Sequence, residues 1–194
     1  MKIAYNKFHL KLLALLTSLL MGFCICASEM EIEKEDNFHV LKSIEKKENN
    51  TEFHVLFLCA GNATRSQLAE GWLKHLGGGS VKAMSAGISP RALNPKAIQV
   101  MKESGIDIQD QTSKKLVNDM LEWADLVITT CDISDKQCPV LPKNTNKIHW
   151  SITNSVIDFS NEEEVLKQVR TTSEEIHFYV LKLLSKLKEF NHIN

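Results

Sequence analysis

Residues 59–66 read CAGNATRS, with an arginine six positions after a cysteine, a Gly-Asn pair between them and a serine beyond. Together these residue types can handle a tetrahedral oxyanion. A loop that wraps onto a helix N-terminus turns backbone N–H groups inward, and the helix dipole adds partial positive charge. Gly61 permits the tight path, and Arg65 can grip two oxygens at once. The same field favours thiolate over thiol, which predicts a Cys59 pKa lowered from about 8.5 toward the range of about 3.5–7.5 of reactive cysteines. Ser66 is placed to donate a hydrogen bond to that thiolate. Cys59 is therefore the candidate nucleophile, and Gly61, Asn62, Ala63, Thr64, Arg65 and Ser66 are the candidate oxyanion-binding residues. The competing reading is an inert small cysteine at a strand end with a solvated arginine.

Two further cysteines bracket a polar stretch, CDISDKQC, at Cys131 and Cys138. With Cys59 they make three cysteines after residue 50, an odd count that argues against a static disulfide framework. No additional Cys or closely spaced His completes a zinc set, so no metal and no cofactor are predicted. His149, beside Trp150, reads as a packed strand residue. Thiol exchange between Cys131 and Cys138 requires their segment to be mobile enough for disulfide approach.

Alternating elements must position these groups. Residues 53–58 form a continuous apolar run, a buried strand ending at Cys59. Residues 66–76 predict a helix with Leu68, Trp72 and Leu76 on one face, stopped by Gly77-Gly78-Gly79. A short strand follows over 81–85. Asn94 and Pro95 open a helix to about residue 104, closed by Gly105. A helix over 115–123 precedes a third buried strand over 125–130, ending at Cys131. Residues 147–150 give a fourth strand. Ser160 with Glu163 predicts a capping box for a long C-terminal helix, striped by Val165, Val169, Ile176, Val180, Leu183, Leu184 and Leu187. Strands alternating with helices imply an α/β fold, a three-layer sandwich with a four-stranded parallel sheet flanked by helices. Ligands of such sheets bind beyond the carboxyl ends of the strands, where Cys59 and Cys131 both fall.

The chain has 194 residues and a formal net charge of −1, which gives no basic excess to suggest nucleic acid. Lys2, Lys7 and Lys11 precede the apolar run LLALLTSLLMGFCICA. Residues 1–27 therefore read as a signal peptide or membrane anchor, with a start at Met30 as the third possibility. Residues 28–51 are rich in Glu, Lys and Asn and read as a solvated polar linker, leaving 52–194 as one domain.

VLFLCAGNATRSQLAEGW, SAGI, NPKAI, ADLVITTC…C and KIHW resemble, in order and spacing over about residues 53–190, the thioredoxin-coupled arsenate reductases. Those enzymes share the fold of the low-molecular-weight tyrosine phosphatases. The resemblance implies a catalytic set of Cys59, Arg65, Cys131 and Cys138. Cys59 would attack arsenate held by the loop, and Cys131 would attack the Cys59 sulfur and release arsenite. Cys138 would move the disulfide to Cys131–Cys138, for a thioredoxin-like reductant to open, in a protein acting as a monomer. Phosphatases of this fold do not use such a cysteine pair, so the pair favours reduction over phosphoester hydrolysis through a phosphocysteine.

Three positions depart from the family pattern. Asn154 stands where the family carries an acidic proton donor, and Asp158, four residues on, is the candidate replacement; a catalytically weakened oxyanion-binding or redox module is therefore a third reading. Thr64 stands where relatives often have Cys. Some relatives bind potassium with residues matching Asn62, Glu70 and Thr112 plus an Asp, but Lys114 occupies that last place and its ammonium can take the cation's role. The N-terminal segment implies an exported, periplasmic or membrane-anchored protein, whereas thioredoxin-coupled recycling belongs to a reducing compartment such as the cytoplasm.

Overall fold

A computed structural model of the chain describes residues 38–44, 52–152 and 161–193. The packed unit spans Val40–Asn194; the other unit, Met1–His39, lies almost wholly outside the described residues, as does the expected signal or anchor segment. Among the described residues no helix is long and apolar enough to cross a membrane.

Four strands, β1 (Phe53–Cys59), β2 (Val81–Gly87), β3 (Leu126–Thr129) and β4 (Asn146–His149), form one parallel sheet in the order β2-β1-β3-β4. Among the described residues five α-helices accompany it: α1 (Arg65–Leu76), α2 (Pro95–Glu103), α3 (Asn118–Trp123), α4 (Asp132–Lys136) and α5 (Glu162–Glu189). The fold is the expected α/β sandwich, and its two faces follow from the alternation of side chains along β1. Leu56 and Leu58 join Ala86, Leu121, Ala124 and Val127 in an apolar cluster beneath α3. Phe57 points the other way and packs on Trp150, which stacks on Tyr179 of α5 with ring centroids 5.1 Å apart. Helices α1 and α2 pack against α5. β1 and β3 are buried throughout, apart from half-buried His54 near the start of β1, as expected of central strands covered on both faces.

The strand order places the site. From β1 the chain runs through α1 to β2 on one side, then returns past β1 to β3 on the other. The crevice between the ends of β1 and β3 is thus the topological switch point, where ligands of open parallel sheets bind. Leu58 lies opposite Thr129, so Cys59 and Cys131 leave adjacent strands at nearly the same level.

Local sequence accounts for most element ends. Asn94 caps α2 by accepting from the Lys96 N–H at 3.0 Å, with Pro95 in the first turn, and Gly105 takes the left-handed turn after it at φ 78°. Four expectations need correction. The helix expected over 115–123 begins at Asn118, because Gly87 donates to the Lys114 carbonyl at 2.8 Å and accepts from Leu116 N–H at 3.0 Å, pulling residues 114–116 into a bridge with β2. The cap of α5 is Asn161, whose Oδ1 accepts from Glu163 N–H at 2.9 Å, while Ser160 lies outside the described residues. The polar stretch after Cys131 contains the short helix α4. Within segment 28–51, residues 38–44 are not a solvated linker. Leu41 and Ile44 are buried, and Nε2 of His192 donates to the Leu41 carbonyl at 2.7 Å, since HVLKSI carries apolar side chains at a spacing that packs.

Candidate active site

The loop between β1 and α1 is folded from its carbonyls outward. Those of Cys59, Ala60, Gly61 and Ala63 accept from the N–H groups of Ile88, Ser89, Arg91 and Asn94, at 2.8–3.3 Å. Residues 88–94 thus clasp the outside of the loop. The backbone N–H of Gly61 acts to lower the Cys59 thiol, and that of Ala60 to lower the Cys131 thiol. Gly87 makes the clasp possible, for a Cβ there would stand 2.9 Å from both the backbone N and the Cβ of Asn62.

Asn62 is the centre of the loop. It is fully buried and left-handed at φ 46°, a conformation Asn tolerates better than most residues. Its Nδ2 donates to Ser66 Oγ at 2.9 Å and to Ser85 Oγ at 2.8 Å. Its Oδ1 accepts from Lys114 N–H at 2.7 Å and from Gln67 Nε2 at 3.2 Å. Ser85 in turn donates to the buried carboxylate of Glu70 at 2.5 Å. The amide thus ties the loop to α1, to β2 and to the segment before α3 at once. Ser85, Gln67 and Lys114 were not among the residues singled out for the loop; the signal for Gln67 and Ser85 is polarity inside otherwise buried elements.

The other loop residues divide in role. Thr64 is buried, and its Oγ1 accepts from Asn94 Nδ2 at 3.1 Å. Ala63 lies half-buried between them. Ser66 Oγ accepts from Asn62 Nδ2, which secures the loop; among the described residues no bond joins it to the Cys59 sulfur. Arg65, the first residue of α1, reaches across the crevice so that Nη1 stands 3.5 Å from the Ile152 carbonyl, and its charge acts on Cys59. Asn154 and Asp158 lie outside the described residues.

The cation-binding set of some relatives does not fit here. The ammonium of Lys114 lies 3.0 Å from the Thr112 carbonyl and 3.5 Å from Glu70 Oε2, and Lys74 bonds the other carboxylate oxygen. Glu70 is already compensated by two tethered cations, leaving no charge for a third.

The cysteines are brought together in part. The Cys59 and Cys131 sulfurs are 3.9 Å apart and buried, and all three cysteines are free. Cys131 precedes α4, and the Ser134 N–H and hydroxyl lie 3.5 and 3.3 Å from its sulfur. Cys138 stands beyond the other end of α4, half-buried against the apolar cluster beneath α3. His149 is half-buried, as expected of a packed strand residue, with Nδ1 2.9 Å from Thr129 Oγ1.

Two sulfurs this close do not both ionise; one proton leaves readily and the other is held. The Cys59 S–H donates to Cys131, and this bond with burial raises the Cys59 thiol, against the pull of Arg65 and the Gly61 N–H. The same bond, with help from Ser134 and Ala60 N–H, lowers the Cys131 thiol to about 4 despite burial. The expectation of a lowered Cys59 is thus reversed in the ligand-free state, because a neighbouring sulfur takes the negative charge. Burial raises the Cys138 thiol.

A lowered thiol is ionised above its pKa and a raised one only at higher pH. Alkylation by iodoacetamide at the Cys59–Cys131 pair should therefore stay nearly flat from pH 8 to pH 6 and fall only as pH approaches about 4. Alkylation at Cys138 should rise steeply on the alkaline side. Peptide mass mapping after timed quenching checks both; three parallel profiles would contradict the shared proton.

The family model of the low molecular weight phosphotyrosine protein phosphatases matches residues 54–188. An arsenate reductase of Staphylococcus aureus (strain N315) is 49% identical over 96 residues, which are 50% of this chain and 73% of that protein. A solved arsenate reductase in the phosphate-binding state aligns with TM-score 0.55 and 30% identity, over 69% of this chain and 98% of that one. A thioredoxin-dependent arsenate reductase of Corynebacterium glutamicum aligns with TM-score 0.52 and 29% identity, over 76% and 71%. With the oxyanion loop, the switch-point crevice and the match over most of its length, the chain belongs to the low molecular weight phosphotyrosine protein phosphatase family.

Proposed function

We propose that this protein reduces arsenate to arsenite through a three-cysteine relay. The observation that carries the reading is the second sulfur: Cys131 stands 3.9 Å from Cys59, the residue that opens the oxyanion loop. A phosphocysteine phosphatase has no need of a thiol there, whereas a reductase needs one.

The chemistry follows from that geometry. Arsenate enters the loop, met by the loop N–H groups and Arg65. The Cys131 thiolate takes the Cys59 proton, and the Cys59 thiolate bonds to arsenic while one arsenic–oxygen bond breaks and the oxygen leaves protonated. Cys131 gives the proton it took to solvent and, again as thiolate, attacks the Cys59 sulfur. The sulfur–arsenic bond breaks and its electron pair stays on arsenic, which leaves as arsenite, with a Cys59–Cys131 disulfide behind. Cys138 then attacks Cys131 and Cys59 departs as thiolate. An external thioredoxin-like dithiol reduces the Cys131–Cys138 bond. The Corynebacterium glutamicum relative, thioredoxin-dependent by its description, supports that donor class. The protein acts as a monomer, and residues 1–27 serve as a signal peptide or anchor. If they export the domain, the donor is an exported thioredoxin-like protein; if they do not, it is a cytoplasmic one.

A second reading has one observation in its favour: the same loop suits a phosphate ester, and the matched family is named for phosphotyrosine hydrolysis. Arsenite formation with thioredoxin, its reductase and NADPH separates the two. Cys59→Ser should abolish it, and Cys131→Ala and Cys138→Ala should each reduce multiple turnover by at least about 10²-fold. Full activity in the latter two variants, or vigorous aryl phosphate hydrolysis indifferent to Cys131→Ala, would sink the relay.

The leaving oxygen needs a proton, which an amide at Asn154 does not supply, and Asp158 is the nearest carboxyl in sequence to stand in. General acid help contributes typically about 10²–10⁴-fold. Asn154→Asp should therefore raise arsenite turnover by about tenfold or more. Turnover unchanged by Asn154→Asp but lost in Asp158→Asn would assign the proton to Asp158 instead.

A further inference from the structure

The relay leaves one mechanical problem. Cys131 and Cys138 stand on either side of α4 (Asp132–Lys136), seven residues apart. A helical path over that step separates the two Cα atoms by roughly 10 Å at about 1.5 Å per residue, while a disulfide needs at most about 6.8 Å. Cys138 must also leave the apolar cluster of Leu116, Leu121 and Leu141 that shelters it. The α4 segment therefore has to open before these two sulfurs can bond. Cys59–Cys131 pairing needs no such movement, since those sulfurs already stand 3.9 Å apart.

What holds α4 closed is a web of polar side chains on the ends of β3 and β4. Asp135, inside α4, accepts from Lys147 Nζ of β4 at 2.9 Å and from Thr129 Oγ1 of β3 at 2.9 Å. The Thr129 proton being given to Asp135, Nδ1 of His149 is the donor to Thr129 Oγ1 at 2.9 Å. Nε2 of His149 lies 3.6 Å from Asp132 Oδ1, at the start of α4. Burial pushes the Asp135 carboxyl up, but Lys147, Thr129 and the His149 charge outweigh it and leave the carboxyl below its ordinary range. The web is placed on the helix and not on Cys131 itself. Cys131 caps the helix, its carbonyl accepting from Asp135 N–H at 3.0 Å and from Ser134 Oγ at 2.8 Å. On its sheet side Thr130 N–H and Oγ1 donate to the Leu58 carbonyl at 2.8 and 3.0 Å, and none of the side chains in the web makes any of these bonds.

We propose that Asp135, held by Lys147 and Thr129, is a latch that governs Cys131–Cys138 pairing and leaves Cys59–Cys131 pairing untouched. Asp135 and Lys147 are positioning residues: they touch neither the oxyanion nor a reacting sulfur, and act through the helix that separates two of the sulfurs. Their charges act on the Cys138 thiol in opposite directions, Lys147 lowering it and Asp135 raising it, so that loss of either moves pairing the same way only through the helix. A closed latch keeps Cys138 away while Cys131 is needed at Cys59. Release of the latch lets Cys138 reach Cys131, where its thiolate attacks, the existing sulfur–sulfur bond breaks and the displaced cysteine leaves as thiolate. No electrons are gained or lost in that exchange. The latch takes its place in a catalytic cycle from the relay proposed above, but its existence is testable without arsenate.

The test uses the full chain carrying Cys59→Ser, so that Cys131 and Cys138 are the only relay thiols. In a buffer of reduced and oxidised glutathione, closure converts two thiols and one oxidised glutathione into a protein disulfide and two reduced glutathiones. Acid quenching, alkylation and mass mapping give the equilibrium fraction closed, and hence the effective concentration of one thiol at the other. Asp135→Asn, nearly isosteric, and Lys147→Met, on a different element, should each raise that concentration about three- to tenfold, in keeping with the modest worth of a half-exposed ion pair and one hydrogen bond. The two together should add little beyond either alone, because they remove the same interaction. Lys147→Arg should stay near the unaltered value. An effective concentration that is unchanged or lower in both Asp135→Asn and Lys147→Met overturns the latch. Since no arsenate is involved, that failure would leave the relay proposal standing, and failure of the relay would leave the latch standing.

Discussion

The site hangs on the side-chain amide of Asn62. It is fully buried, holds a left-handed backbone, and spends both ends on fixed partners in α1, β2 and the segment before α3. A buried hydrogen bond contributes only about 0.5–1.5 kcal/mol net, but a buried donor or acceptor left unpaired costs about 1–3 kcal/mol. Removing the amide would strand several such groups at once. The loop that presents Gly61 N–H to Cys59 is therefore held by a web whose parts depend on one another. Behind it stands Glu70, a carboxylate buried under two lysine ammonium groups and the Ser85 hydroxyl. The protein supplies the counter-charges of Glu70 itself, from Lys74 and Lys114.

Given a rigid loop, sheet topology does the rest. Adjacent parallel strands of opposite connection end together at the switch point, and the sulfurs of Cys59, the last residue of β1, and Cys131, just past β3, come within 3.9 Å. That contact has an electrostatic consequence the loop alone would not predict. In the ligand-free state the negative charge settles on Cys131, where Ser134 and Ala60 support it, and Cys59 keeps the proton. In the reaction proposed above, the base that takes the Cys59 proton is thus a second sulfur, which is also the atom that later attacks Cys59. Cys138 is kept apart by α4 and by burial, so the same chain holds two of its thiols in contact and the third in reserve.

Much of this was legible in the residues. Apolar runs ending at Cys59 and near Cys131 predict two buried strands, and parallel pairing then puts both cysteines at one sheet edge. Asn94-Pro95 and Gly105 mark α2 at both ends, because capping and backbone chirality are local effects. Less legible were features decided by tertiary bonds. Helix α4 has five residues, DISDK, with no apolar face to announce it; its order comes from Lys147, Thr129 and His149, distant in sequence or on other strands. Residues 114–116 carry a helical pattern but are drawn into a bridge by Gly87. The bond that the Ser66 hydroxyl accepts from Asn62 was not legible either, because it depends on how the loop folds. Leu41 and Ile44 sit in a polar composition that hides how well they pack.

The central claim is that the 3.9 Å contact between Cys59 and Cys131 is a productive one, through which arsenic is reduced. A single-turnover measurement addresses it directly: Cys138→Ser protein, pre-reduced and freed of small thiols, is mixed with arsenate, acid-quenched and mapped by mass spectrometry. The account predicts arsenite and a Cys59–Cys131 disulfide accumulating together, one for one, up to one per chain. Arsenite without that disulfide, or neither product while the wild type turns over, would contradict it.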